Sequence, residues 1–173
     1  AAGKYEKLSQ QNVDTGMGVE RTAAVLNGLD DNYRTEIFWP LIETIQKQMG
    51  KNYEDPQFTS SMRVIADHLR AGVFLAGDGV LPANNGQGYV MRRLLRRAAM
   101  ANRRLNTEYG IHPPTGSPRG EAGEAGNTEY RQLITQIINY YQKDYPELIV
   151  QEKKIVEIIT GEMDKFTKTL AIG

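Results

Sequence analysis

Apolar residues recur every three or four positions along most of the chain, which is the spacing of a helix with one buried face. The pattern predicts five or six helices and, near the start, one short strand end. We therefore expect an all-α helical bundle, and 173 residues are enough for one domain with a sizeable core. The predicted N-terminal caps are Thr35 and either Ser60 or Ser61, and helices are expected to end at Gly28 and Gly50. Proline marks two helix starts, with Pro40 near one and Pro146 at the start of a long final helix.

One of these helices is densely cationic, because three Arg-Arg pairs flank its apolar stripe. Like charges one turn apart repel each other by roughly 0.2–0.5 kcal/mol per pair. The pattern therefore indicates a facing polyanion, such as a phosphate backbone, or a set of internal acids that clamp the arginines. The arginines are Arg92, Arg93, Arg96, Arg97, Arg103 and Arg104, and the stripe is Met91, Leu94, Leu95, Ala98 and Leu105.

The loop before this helix, residues 82–88, is rich in amide side chains and glycine. Asn84 and Asn85 each present a hydrogen-bond donor and acceptor side by side, which is the chemistry that reads base edges. The alternative is ordinary turn chemistry, because asparagine and glycine tolerate positive φ. The residues alone leave both interpretations open.

The charge distribution favours a polyanionic partner. The formal net charge is zero, yet residues 62–104 contain eight Arg and two Asp, a local balance of +6. The absence of cysteine excludes disulfides and thiolate metal sites. No apolar run is long enough to span a bilayer and no signal peptide is visible, so we expect a cytoplasmic protein without membrane contact.

On the helix expected to end near Ala76, Asp67 and Arg70 lie one turn apart with His68 between them. We expect an ion pair and a packed histidine, because one histidine without a nucleophile supports no particular mechanism. Asp67 is also a candidate for tethering the arginines of the following helix.

Two blocks of sequence resemble a known family. Residues 63–97, RVIADHLRAGVFLAGDGVLPANNGQGYVMRRLLRR, closely resemble the tRNA-recognition region of alanyl-tRNA synthetases, and residues 13–28, VDTGMGVERTAAVLNG, resemble motif 3 of that class II family. The segment EMDKFTKTLAIG at the end is only loosely similar. The resemblance implies that 1–30 close a catalytic domain, as a short strand-helix remnant, and that 31–173 form a helical tRNA acceptor-stem recognition domain. A flexible Gly/Pro loop at 109–127 matches nothing in the family's pattern.

The resemblance also implies roles for single residues. Arg21 matches the motif 3 arginine that contacts ATP, and Asp14, with Gly16 beside it, matches the aspartate that holds the amino group of alanine. Glycine permits close backbone approach to a ligand, although a capped turn with a surface arginine would look similar. The residues implied in tRNA binding are Asn84, the family's reader of a G·U pair, with Asn85, Arg92, Arg93, Arg96 and Arg97, and no metal ligand is expected.

The family's reaction activates alanine with ATP and magnesium and transfers it to tRNA(Ala). Motifs 1 and 2 and the editing region are not among these residues, so we expect a fragment that binds the tRNA acceptor stem, needs no cofactor and does not catalyse. The other hypothesis is a non-catalytic paralogue or protein-interaction module in which the basic helix meets an acidic partner. Asp14 and Arg21 argue against it, because such a protein would have no use for motif 3.

Overall fold

The computed structural model describes residues 6–7, 9–10, 12–13, 15–106 and 122–172, with side chains from 128 to 170 in the last stretch. These residues form seven α-helices and no strand, so the predicted all-α class is confirmed and the expected strand end is not found among them. The helices are α1 (Val19–Leu26), α2 (Trp39–Met49), α3 (Pro56–Gly77), α4 (Gly86–Asn106), α5 (Ala122–Tyr141), α6 (Pro146–Val150) and α7 (Glu152–Ile172), with a 3₁₀ turn at Asn32–Arg34.

The pair formed by α3 and α4 is the centre of the bundle. A short loop turns α4 back along α3, α7 packs against both of them and α5, and α2 packs against α3 and α5. A Cβ on Gly72 would lie 2.9 Å from Leu95 Cδ2, so the missing side chain lets α4 pack closely against α3. The fully buried side chains include Ile42, Ile45, Met62, Ile65, Leu69, Met91, Leu95, Ile134, Ile138 and Ile159.

The start of α3 lies four residues before the predicted cap at Ser60. The actual cap is Asp55, whose carboxylate accepts a hydrogen bond of 3.0 Å from the backbone N–H of Gln57. Pro56 fits the first turn, where no N–H is needed. The aspartate-proline pair was therefore the stronger start signal, and the prediction from Ser60 or Ser61 is wrong.

The start of α2 at Trp39 agrees with the prediction from Pro40, and the helix ends before Gly50 as expected. Thr35 does not cap it, because its hydroxyl donates instead to the carbonyl of Asn32 in the 3₁₀ turn, at 2.7 Å. The cap position is occupied by Phe38, which uses no side-chain hydrogen bond there.

The end of the chain differs from expectation in two places. The helix predicted from Pro146 is divided into α6 and α7 at Gln151, whose side-chain amide donates to the carbonyl of Gly77 at 3.2 Å. The last residues of the predicted loop at 109–127 belong to α5, which begins at Ala122. Residues 107–121 lie outside the described residues.

Arg70 of α3 joins α1 to the bundle. Its guanidinium pairs with the carboxylate of Glu20 on α1, donates to the hydroxyl of Tyr141 on α5 at 3.2 Å, and lies 4.3 Å from the ring centre of Phe38. A backbone hydrogen bond and the hydrogen bond from Arg70 lower the pKa of Glu20. The position of α1 therefore depends on a cation carried by a neighbouring helix.

The ion pair expected between Asp67 and Arg70 is not formed. The carboxylate of Asp67 instead lies 3.2 Å from Nδ1 of His68, and this hydrogen bond lowers the pKa of Asp67. His68 is buried, as expected of a packed histidine. Glu162 of α7 contacts Arg92 and Arg96 of α4, so the tethering role expected of Asp67 belongs to a different element for these two arginines.

Asp31 fixes the segment between α1 and α2. Its carboxylate accepts from the backbone N–H of Tyr33 at 3.0 Å, the hydroxyl of Tyr53 at 2.6 Å and the guanidinium of Arg63 at 2.9 Å. Burial opposes the negative charge, but these hydrogen bonds outweigh it and lower the pKa of Asp31. Burial together with the bond to Asp31 raises the pKa of Tyr53 to about 12.

We expect Asp31→Asn to lower the free energy of unfolding at pH 7 by about 1.5–3 kcal/mol, the value of hydrogen bonds to a charged group. Urea unfolding measures this, with the exposed neighbour Asp30→Asn as the control. The folded-state pKa of Asp31 lies below its unfolded value of about 3.9. Its contribution is thus present above about pH 4 and is lost as the pH falls through the folded-state pKa. Equal stability of wild type and variant at pH 7 would contradict this assignment.

Candidate nucleic-acid interface

Four of the arginines of α4 line an open groove of about 550 Å³ between the loop before α4 and α7. The apolar stripe of α4 faces inward as predicted, with Met91, Leu95, Ala98 and Leu105 buried, although Leu94 is only half-buried. The polar face is therefore left at the surface. The residues that line the groove are Asn84, Tyr89, Arg92, Arg93, Arg96, Arg97, Met100 and Phe166.

Glu162 of α7 holds two of these arginines. Its Oε1 atom accepts from Nε of Arg96 at 2.9 Å and from Nε of Arg92 at 3.2 Å. The side chain of Glu162 is only 9% exposed, so its charge requires these partners. The interpretation that internal acids clamp the arginine-rich helix is thus correct for Arg92 and Arg96.

Arg93 and Arg97 are different. Both are exposed, and neither forms an ion pair or side-chain hydrogen bond within the described part of the chain. Arg103 and Arg104 have interactions of their own and do not line the groove. The groove therefore combines two arginines of fixed orientation with two that are available to an anionic partner.

Asn84 lies at the edge of the groove, and its Oδ1 atom accepts a hydrogen bond from an Nη atom of Arg92. The neighbouring Asn85 is also exposed, and its carbonyl accepts the first helical hydrogen bond of α4, from the N–H of Tyr89 at 3.0 Å. The structure thus brings Asn84 and the arginines together as the sequence predicted. It gives Asn85 a backbone role at the start of α4.

The backbone closes the loop that carries Asn84. The N–H of Ala83 donates to the carbonyl of Gly88 at 3.1 Å, so the loop folds back on the first turn of α4. This contact depends on glycine, because a Cβ at position 88 would lie 2.3 Å from the carbonyl oxygen of Leu81. The helix begins at Gly86, so the last three residues of the predicted loop at 82–88 are helical.

The residues implied to bind ATP and alanine are only partly described. Arg21 is exposed on α1, and its aliphatic stem lies 4.0 Å from the position of a Cβ on Gly18. Gly16 is also exposed, whereas Asp14 lies outside the described residues. The described part of this region therefore places the aliphatic stem of Arg21 close to the backbone of Gly18 and leaves the side chain exposed.

The described residues provide neither a cluster of metal ligands nor a membrane-spanning helix. They contain no group of three or more His, Asp or Glu side chains that could hold a metal ion. In the same part of the chain, no helix is long and apolar enough to cross a membrane.

Three residues that line the groove were not predicted as site residues, namely Tyr89, Met100 and Phe166. Tyr89 is exposed there, and the ring centre of Phe166 lies 5.1 Å from the guanidinium carbon of Arg96. Glu162, which holds Arg92 and Arg96, was not predicted either, although one feature of the sequence marks it. It follows Ile159 by three positions and precedes Phe166 by four, so an acid stands where the helical spacing predicts an apolar residue.

Comparison with known proteins agrees with the motifs at 13–28 and 63–97. The model of a family described as tRNA synthetases class II (A) matches residues 1–114. The chain belongs to this family. The expected family is therefore confirmed, and the match includes Asn84 and the four arginines of the groove.

Curated relatives extend the similarity to nearly the whole chain. The alanine–tRNA ligase of Streptococcus pyogenes serotype M18 is 38% identical over 170 residues, which is 98% of this chain and 17% of the relative. The alanine–tRNA ligase of Streptococcus thermophilus strain LMD-9 is 39% identical over 174 residues, which is again 98% of this chain and 17% of the relative. The chain thus spans 17% of the length of these relatives.

We expect Gly88→Ala to destabilise the chain by about 1–3 kcal/mol, the usual cost of overpacking. The added methyl group would meet the Leu81 carbonyl and the Ala83 side chain, and this clash outweighs the roughly 1 kcal/mol by which alanine favours a helix. Thermal unfolding measures the effect, with the exposed neighbour Gln87→Ala as the control. A variant that melts with the wild type would show that the loop adapts without cost.

Proposed function

We propose that the chain is part of an alanine–tRNA ligase and that the groove along α4 binds the acceptor stem of tRNA(Ala). The observation that carries the proposal is the position of the Asn84 carboxamide at the edge of a groove lined by arginines. Membership of the synthetase family and the names of the relatives support it. The activity, substrates and partners of the whole protein belong to the same proposal.

The arginines provide affinity without sequence information. The four guanidinium groups of the groove less the one carboxylate of Glu162 leave a net charge of +3 beside the lining surface. Arg93 and Arg97 are exposed and bind phosphate oxygens, which orients the RNA relative to α4. Affinity should therefore depend strongly on salt, because each phosphate contact releases counterions.

Asn84 provides the base contact. A G·U wobble pair leaves the guanine amino group unpaired in the minor groove, and the A-form minor groove is shallow enough for a loop to reach it. The Oδ1 atom of Asn84 has two lone pairs, of which Arg92 uses one. The second accepts the guanine amino group, with Asn85 beside it as the next candidate reader.

The residues near α1 serve the reaction of the whole protein. There alanine is activated with ATP and transferred to tRNA(Ala), with Asp14 and Gly16 holding alanine and Arg21 contacting ATP. Arg21 is exposed, and its guanidinium group is suited to a phosphate contact. Magnesium arrives with ATP in this scheme. The chain by itself binds RNA and does not catalyse.

Arg93→Ala combined with Arg97→Ala should weaken binding about equally for G·U and G·C stems. The plot of log K against log salt concentration should also become shallower by about 2, because two phosphate contacts are lost. Fluorescence titration of labelled minihelices over a range of salt measures both effects. Lys153→Ala with Lys154→Ala removes the same charge from exposed positions at the start of α7 and serves as the control. If both double variants show the same slope, the groove does not bind the phosphates.

Asn84→Ala should reduce the discrimination between G·U and G·C stems by about 1–3 kcal/mol, the value of a good base-edge contact. Binding to non-cognate RNA should barely change, because the arginines remain. The measurement is aminoacylation by the whole protein on paired minihelices that differ only at this base pair. Asn85→Ala is the companion variant, and a loss of discrimination in that variant alone would make Asn85 the reader.

A further inference from the structure

We infer that Glu162 is a positioning residue for base recognition, because it fixes the direction of the Asn84 side chain through Arg92. The inference rests on the proposed function of the groove and assigns a role to a residue of α7 that lies beyond the family match at 1–114. Glu162 contacts Arg92, and Arg92 contacts Asn84. The three side chains form one continuous path from the buried face of α7 to the edge of the groove.

The geometry of the guanidinium group makes this path effective. Its nitrogens lie in one rigid plane, so an Nε held 3.2 Å from the Glu162 carboxylate also fixes the direction of the Nη atom that donates to Asn84. A free arginine samples many rotamers, and a hydrogen bond from it would not orient an exposed asparagine. The buried acid removes that freedom before RNA binds.

The carboxylate is itself held from two sides. Arg96 donates to the same Oε1 atom at 2.9 Å, and its guanidinium carbon lies 5.1 Å from the ring centre of Phe166. Ile159 and Met163 on the same helix are buried in the core. Glu162 therefore cannot shift to follow Arg92, and Arg92 must adjust to it.

The charge of Glu162 lowers the affinity of the groove for phosphate, whereas its positioning of Asn84 raises base discrimination. Its negative charge reduces the attraction of the groove for phosphate and engages two arginines that could otherwise contact RNA. Loss of this charge should leave general affinity intact or raise it, while base discrimination falls. A residue with a merely structural role would lower both quantities together.

The test is Glu162→Gln, which keeps the shape of the side chain and removes its charge. In the RNA-free chain, NMR should show the order parameter of the Asn84 side-chain amide falling from about 0.8 to below about 0.6. In the whole protein, the ratio of aminoacylation efficiencies for G·U and G·C minihelices should fall at least about fivefold, the equivalent of 1 kcal/mol. Affinity of the chain for the G·C stem should stay the same or rise.

Three further variants make the result specific. Glu157→Gln removes an equal charge from an exposed position of α7 and should change neither the order parameter nor the ratio. In an Asn84→Ala background, Glu162→Gln should have no further effect on the ratio, because Asn84 is the group through which it acts. Arg92→Lys retains the charge and the contact of Glu162 with Arg96 but loses the planar fork, so it should reproduce the loss of discrimination even if Glu162→Gln does not fold.

The outcomes separate the two proposals. If the wild-type protein does not prefer the G·U stem, the proposed function fails and this inference fails with it. If the wild type prefers G·U while folded Glu162→Gln and Arg92→Lys keep the full ratio, only the positioning role is overturned. A parallel fall in affinity for both stems, or an undiminished effect of Glu162→Gln in the Asn84→Ala background, would also overturn it.

Discussion

One buried carboxylate allows α4 to present arginines on successive turns. Arg92 and Arg96 lie four residues apart and would repel each other on an isolated helix. The oxygen of Glu162 accepts from both at 3.2 and 2.9 Å, and burial strengthens the attraction because less water screens it. An acid in this position would be costly without the arginines, so the groups stabilise one another. The groove depends on this mutual compensation across two helices.

A similar arrangement joins α1 to the rest of the fold. Arg70 lies on α3 in the centre of the bundle. It contacts a carboxylate of α1, a hydroxyl of α5 and an aromatic ring at the start of α2. The interior of the bundle is mainly apolar, and charged contacts fix how its outer elements lie on it. Apolar packing therefore determines that the helices associate, and a few arginines determine where the functional segments are held.

The features that could be predicted from the sequence are those that depend on local residue spacing and on short motifs. The all-α class, the buried side of α4 and the family were predicted correctly, because each is encoded within continuous segments. The partner of the arginines was not, because Glu162 is 66 residues away from Arg96 and no local pattern links them. The prediction assigned the role to Asp67, but its neighbour His68 engages it. Helix starts at Pro56 and Gly86 were missed because a cap and a backbone turn extended the helices beyond their apolar patterns.

The loop before α4 separates two tasks, the placement of residue 84 and the orientation of its side chain. The main-chain bond from Ala83 to Gly88 sets where residue 84 stands, whereas Arg92 sets which way its side chain points. The backbone support makes no use of the asparagine itself. A different side chain at position 84 would thus be presented from the same place, and under the proposed function a preference for another base pair requires one substitution and no new scaffold.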